Sequence, residues 1–398
     1  MDKFDEFYNK NFDKNFDNCV LEYDLEKYPF QTWVLEQLQS YGIDINSIKD
    51  FTNLHKIMDP KDLPQLTKFL IKATDKIEFK TMINNFLDEY IRTKYPSGTE
   101  FMVQRYVNLR IVFPNQDKFG QVLIWHQGIW VGNGTGMRTI WLPITKAYEG
   151  NTMQMIRLEK SKEITKKTCK SEWSHTKIAE ECEKYSFPVT LKPGQGHLFG
   201  QIYVHGNVPN RTNITRMSMD CRILFKNSQY YRKLPGGYFR LFEDLKSNDS
   251  NIDNNKFFLS YSENNTKFTK NIPIHLQRLQ IKEYCTKYNI SFKFEQVELN
   301  GLYHAPVLQG LIAKDKPEAL LMFSIYALPD NEEKRNNILD LFINNNVEVH
   351  FVNENLILRT SEDRNKIKKI RNFTLDNSSP IEELSKILET INLPNNNL

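Results

Sequence analysis

Two histidines, an arginine and a serine carry the clearest chemistry in this 398-residue chain. His126 lies in VLIWHQGIWVGNGTGMRTIWLP (122–143), and His205 ends the run GHLFGQIYVH (196–205). Arg216 and Ser218 follow in TRMSMDCR (215–222). Two imidazoles from distant strands, usually with one carboxylate, hold non-haem Fe(II) on one face and leave positions open for a co-substrate and O₂. Residues i and i+2 of a strand point to the same side, so a carboxylate two places after the first histidine would reach the same ion. An arginine one strand further on, with a hydroxyl nearby, can hold the distal carboxylate of 2-oxoglutarate in a charge-assisted, bidentate pair. The residue two places after His126 is Gly128, which offers no donor, and Gln127 falls on the opposite face of a regular strand.

These blocks resemble the Fe(II)/2-oxoglutarate-dependent dioxygenases of the phytanoyl-CoA-hydroxylase type. Within that type they look most like a streptomycin-biosynthesis-protein-like branch found sporadically in carbohydrate gene clusters. Those relatives read H-x-D-x-W-x-G-N…W-L-P and H-G-N…R-x-S-M-N-C-R. Here His126, Trp130, Gly132, Asn133, Trp141, Leu142, Pro143, His205, Gly206, Asn207, Arg216, Ser218, Met219, Cys221 and Arg222 match. The resemblance implies a jelly-roll (double-stranded β-helix) core, Fe(II) on His126 and His205, and 2-oxoglutarate anchored by Arg216 with Ser218 assisting. It also implies oxidation of a carbohydrate or nucleotide-sugar in polysaccharide or natural-product synthesis. Asn108 and Arg110 could touch co-substrate or substrate. Trp130, Asn133 and Asn207 would line the substrate pocket, Trp130 by stacking on a sugar ring.

The family's metal-binding Asp is Gly128 here, and three readings stay open. Chloride could take the place of the carboxylate, as in the halogenases of this chemistry. Another acid, such as Glu149 or Asp117, or a water could fill it, and the enzyme would hydroxylate. Or iron binding is lost, and the chain is a non-catalytic sugar-binding or interaction protein. His55, His175, His275, His304 and His350 read as ordinary core or surface residues. His197 either lines the pocket or packs.

The elements that must position these residues change along the chain. Residues 1–95 read as helical, with Phe30, Trp33, Val34, Leu38 and Tyr41 at helical spacing. From 96 to 245 the period becomes that of strands, at 101–113, 122–126, 138–144, 187–191, 196–206 and 215–225. Residues 157–170, RLEKSKEITKKTCK, read as a basic polar insertion: a solvated loop, or a lid over an anionic substrate. Residues 246–255 form a polar linker.

Residues 256–375 then alternate strand and helix, which means an α/β unit with a parallel sheet. The helix at 275–287 is expected to bury Leu276, Leu279 and Tyr284, and 319–328 reads as one buried strand. This segment resembles the catalytic domain of serine recombinases (resolvases), with Ser262 at the nucleophile's place. The stretch that should carry that family's acid and arginines reads Ile325-Tyr326-Ala327-Leu328-Pro329 instead, so no strand exchange is expected. Dimerisation, substrate handling or plain scaffolding is. The polar tail, 376–398, holds one short helix at 381–391.

Composition bounds the rest. Charged residues are 26% and hydrophobic ones 40%, as in globular domains. A formal net charge of +4 is too mild to argue for nucleic acid. The first residues, MDKFDEFYNK, are acidic and aromatic, unlike a secretory or transit leader. No apolar run is long enough to span a bilayer. Five scattered cysteines without a C-x-x-C pair suit a reduced, cytoplasmic protein.

Overall fold

The computed structural model describes residues 2–12, 19–48, 50–96, 98–115, 125–170, 172–245, 252–264, 266–298, 306–373 and 378–392. The chain divides into two compact units. The first comprises Met1–Leu234, Tyr238–Lys246 and Thr374–Leu398; the second comprises Pro235–Gly237 and Ser247–Phe373. Each is a mixture of helices and β-sheet. No helix among the described residues is long and apolar enough to cross a membrane.

The first unit contains two antiparallel sheets. The larger runs Cys19–Glu22, Gln195–Gly200, Met137–Pro143, Arg216–Phe225, Phe101–Gln104, Phe239–Leu241, and Asn108–Val112 also pairs with Arg216–Phe225. The smaller joins Ser186–Pro188, Met153–Ile156 and His205–Asn207. The run 101–113 is therefore two strands. The chain leaves the ladder between them, where the Arg105 amide donates to the Tyr238 carbonyl at 2.9 Å. Nor is the amino-terminal region helical throughout, because Cys19–Glu22 supplies the edge of the larger sheet beside Gln195–Gly200.

Period-2 alternation explains the layering. Leu109, Ile111, Ile140, Leu142, Leu198, Met217, Met219, Cys221 and Ile223 pack with the helical residues Trp33, Val34, Leu66, Leu70, Phe79 and Phe86 into one core. Helices Phe30–Ser40, Leu63–Ala73 and Ile77–Arg92 thus cover one face of the large sheet. The other face is left for a different set of side chains.

The basic stretch at 157–170 is not a loop. It forms the helix Leu158–Cys169, which buries Ser161, Ile164 and Thr165, while the half-buried Lys160 pairs with Glu163 and Glu181 and Lys162 with Glu159. Helix Pro380–Asn392 is amphipathic. Leu384 and Leu388 are buried in a cluster with Phe4, Phe7 and Tyr8 of helix Lys3–Asn11.

The second unit is a five-stranded sheet in the order Phe292–Glu298, Phe258–Glu263, Ala319–Met322, Glu348–Phe351, Leu356–Leu358. The first four strands are parallel and the last is antiparallel. This is a doubly wound order, which offers ligands a crevice at the carboxyl ends of its strands. Here the chain itself occupies ground at that end. Tyr326 donates its hydroxyl proton to the Pro235 carbonyl at 3.1 Å, and a Cβ on Gly236 (φ +87°) would come within 3.2 Å of Glu354 Cγ. Ser262 is buried.

Two expectations for this unit need correction. The 319–328 run is a strand only to Met322, after which Ser324 caps a 3₁₀ turn at Ile325–Ala327. In helix Ile274–Tyr288, Leu276 and Leu279 are 45% and 59% exposed, and the buried face is Gln277, Ile281, Tyr284 and Cys285. Gln277 turns that face inward by donating to the Glu263 carbonyl at 2.7 Å.

A buried charge network ties the end of this sheet together. Glu348 accepts from Arg359 Nε at 2.6 Å, Lys256 Nζ at 2.8 Å and His350 Nε2 at 2.5 Å, and His350 Nδ1 meets the Tyr284 hydroxyl at 3.0 Å. Burial pushes the Glu348 pKa up, but the bonds from His350, Arg359 and Lys256 outweigh it and hold the carboxyl far below its usual range. Glu348→Gln leaves those partners short of an anion and should cost the second unit about 3–5 kcal/mol. All five tryptophans lie in the first unit. The loss should therefore appear in far-UV circular dichroism as an early melting step that tryptophan fluorescence does not report. Coincident transitions would contradict it.

Candidate functional site

The face of the large sheet turned away from the helices carries Arg216, Ser218, Asp220 and Arg222, which alternate with the core residues of strand Arg216–Phe225. Register arranges their neighbours. Asn108 and Trp141 flank Asp220, Arg110 and Pro143 flank Ser218, and Thr139 pairs with both Arg222 and Phe199. Trp141 also pairs with His197.

The histidines meet on the smaller sheet. His205 opens strand His205–Asn207, and an isolated antiparallel bridge joins it to His126 through reciprocal backbone hydrogen bonds of 2.9 and 3.0 Å. Their ring centroids are 4.4 Å apart and the planes are tilted by 49°. Two imidazoles binding one ion at right angles, each nitrogen about 2.1 Å away, would place their centroids about 4.5 Å apart. The observed centroid separation matches that value. His205 Nδ1 lies 3.0 Å from the Tyr203 carbonyl oxygen. That contact is a hydrogen bond only when Nδ1 carries the proton, which leaves Nε2 with the lone pair a metal needs. Burial, and after it the neighbouring His126, hold the His205 pKa well below the usual histidine range. The pair alone is two ligands. Among the described residues no group of three His, Cys, Asp or Glu side chains is arranged to hold a metal.

His126, His205, Arg110, Asn207, Asp220 and Arg222 share one cavity, whose apolar wall is Trp141, Met153 and Phe199. At ≈ 30 Å³ it has room for about two waters. A larger ligand enters only if wall side chains shift, and Met153 is the most adaptable of them.

Asp220 is the carboxylate of this cavity. It accepts from Arg110 Nε at 2.6 Å, Asn108 Nδ2 at 2.7 Å and Arg222 Nη1 at 3.1 Å. Burial pushes its pKa up, but Arg110 and Arg222, helped by the Asn108 bond, bring it down to about 2. Arg216 is the opposite case. It is 2% exposed and donates from Nη1 to Asn207 Oδ1 at 3.0 Å, while Nε and Nη2 are buried without a hydrogen-bond acceptor, as is the Ser218 hydroxyl without a partner. Burial, then the nearby Arg110, lowers the Arg216 pKa to about 9, with Asp220 opposing. Three guanidiniums against one carboxylate give the region a positive surplus that suits an anion.

The residues singled out from the sequence fall into three places. His126, His205, Arg110 and Asn207 are on the cavity wall, and Asn108 and Arg216 stand one hydrogen bond behind it. Gly128 begins a 3₁₀ helix, Gly128–Val131, instead of continuing a strand, and Asn133 is buried with its amide on Gln201. That turn carries Trp130 into apolar clusters around Ile164 and Phe199, so the tryptophan on the wall is Trp141. Of the two acids considered for the missing ligand, Glu149 is exposed and Asp117 lies outside the described residues. His197 packs against Phe199 with its pKa lowered by burial to about 4. Asp220 was the residue missed. Its signal is the alternation Arg216-x-Ser218-x-Asp220-x-Arg222, four polar residues on one strand face.

No family model matches the chain, and no curated protein matches it either. Solved structures with a remote likeness include a non-heme monooxygenase, the ThoJ–Ni complex (13% identity over 54% of this chain and 76% of that one, TM-score 0.32). EctD from S. alaskensis with bound Fe is similar at 14% identity over 54% and 75%, TM-score 0.33. The non-heme alpha ketoglutarate dependent carbocyclase SnoK from nogalamycin biosynthesis is similar at 11% identity over 58% and 86%, TM-score 0.29. At these identities and scores the likeness carries neither class, activity nor substrate to this chain.

Proposed function

We propose that this chain is an oxidative enzyme of the Fe(II)/2-oxoglutarate type acting on a carbohydrate or nucleotide-sugar. The observation that carries the reading is Arg216, a buried guanidinium with two donor nitrogens unsatisfied beside the unsatisfied hydroxyl of Ser218. Burying a charge without a counter-ion is costly, and a bidentate carboxylate would relieve that cost. His126 and His205 would hold the metal, and Arg216 with Ser218 would fix the far carboxylate of the co-substrate. When bound, iron with 2-oxoglutarate and O₂ supplies the oxidising power, with loss of CO₂ and formation of succinate as oxygen enters a substrate C–H bond. Arg110 and Asp220 present a charged, hydrogen-bonded pair to substrate hydroxyls. Trp141 offers an aromatic face to a sugar ring, and Phe199 and Met153 limit water. The sugar class rests on the likeness of residues 126–143 and 205–222 to carbohydrate-cluster oxygenases. The test is 2-oxoglutarate affinity in the Arg216→Met variant. Unchanged affinity would remove the anchor and leave a ligand-binding protein of another kind.

A further inference from the structure

A side chain at position 128 has no room to start. A Cβ built on Gly128 would lie 2.0 Å from Gln201 Oε1 and 2.9 Å from both Gln201 Cδ and Asn133 Nδ2. The Gln201 carboxamide is buried and held at both ends. Its Oε1 accepts from Asn133 Nδ2 at 2.7 Å, and its Nε2 donates to Thr139 Oγ1 at 3.0 Å. Thr139 is a wall residue of the cavity that holds both histidines. The backbone is tied in as well, since the Ile129 amide donates to the Gln201 carbonyl at 3.3 Å.

We propose that the Gln201 carboxamide fills the place of the carboxylate absent at position 128, so that residues 128 and 201 form one coupled packing unit. The inference rests on the function proposed above. A neutral amide from the turn after strand Gln195–Gly200 replaces an acid of nearly the same shape, and the glycine is what lets it in. The space beside Gly128 that a halide would need is then taken by this amide.

Four proteins test this: the wild type, Gly128→Asp, Gln201→Ala and the double variant. Each is melted by tryptophan fluorescence and titrated with Ni²⁺ alone by calorimetry. Gly128→Asp by itself should lower the melting temperature, because it overpacks a filled site. Adding Gln201→Ala should recover most of that loss and bind Ni²⁺ at least about tenfold more tightly than the wild type, through a restored carboxylate. Additive melting shifts with Ni²⁺ binding to the wild type intact would overturn this inference alone. Coupled melting shifts with no Ni²⁺ bound by any of the four would overturn both the carboxylate assignment and the metal half of the proposed function.

Discussion

Replacing Asp220 with alanine should unfold the first unit more readily than any other single change at the site. Asp220 answers Arg110 and Arg222 directly and is the carboxylate nearest Arg216 on the same strand face. Removing one member of a buried ion network leaves charges without a counter-ion and costs about 3–5 kcal/mol. Chemical denaturation followed by tryptophan fluorescence reads this unit selectively. The wild type should show the same charge effect as acid sensitivity. The Asp220 pKa is depressed to about 2 from an ordinary 3.8, so its stabilisation is complete above the ordinary value and is lost as the pH falls through about 2. That difference is worth about 2 kcal/mol. Asp220→Asn should lose the acid-dependent part and keep its shape. A variant as stable as wild type would mean that the arginines do not depend on Asp220.

Arg216→Met should weaken binding without lowering stability. The wild-type guanidinium is buried with two donor nitrogens unsatisfied, a desolvation cost that an apolar chain of similar volume does not carry. The ligand-free variant should therefore melt no lower than the wild type. Affinity for 2-oxoglutarate should fall by about 30-fold or more, since truncating one partner of a buried charged pair costs at least about 2 kcal/mol. Metal binding should be largely spared, because the Arg216 side chain bonds to Asn207 and not to a histidine ring. A purely structural arginine would do the reverse, lowering the melting temperature and leaving affinity alone.

Much of this arrangement is legible in the chain. The strands at 137–143 and 216–225 follow from β-branched and aromatic runs bounded by Gly, Asn and Pro, whereas the 196–206 run is two strands, Gln195–Gly200 and His205–Asn207, in different sheets. His126, His205 and Arg216 stand out by type and order. What local patterns miss is set by tertiary contacts. Trp130 and Trp141 look alike in sequence, and only the 3₁₀ turn after Gln127 separates the wall residue from the packed one. Leu276 and Leu279 have the more apolar side chains, yet Gln277 decides the buried face because its amide satisfies the backbone of Glu263. The occupant of the space beside Gly128 comes from residue 201, far along the chain, and no spacing rule points to it. Asp220 is different, because its alternation with Arg216, Ser218 and Arg222 was readable.

The most direct measurement is an anaerobic titration of the full chain with Fe(II) and then 2-oxoglutarate, with and without chloride, following the visible metal-to-ligand charge-transfer band. A band that forms with both components, weakens strongly in Arg216→Met and is indifferent to chloride is the expected result. No band and no bound iron would contradict the two-histidine, arginine-anchored site. A band that shifts with chloride would show the position beside Gly128 to be open.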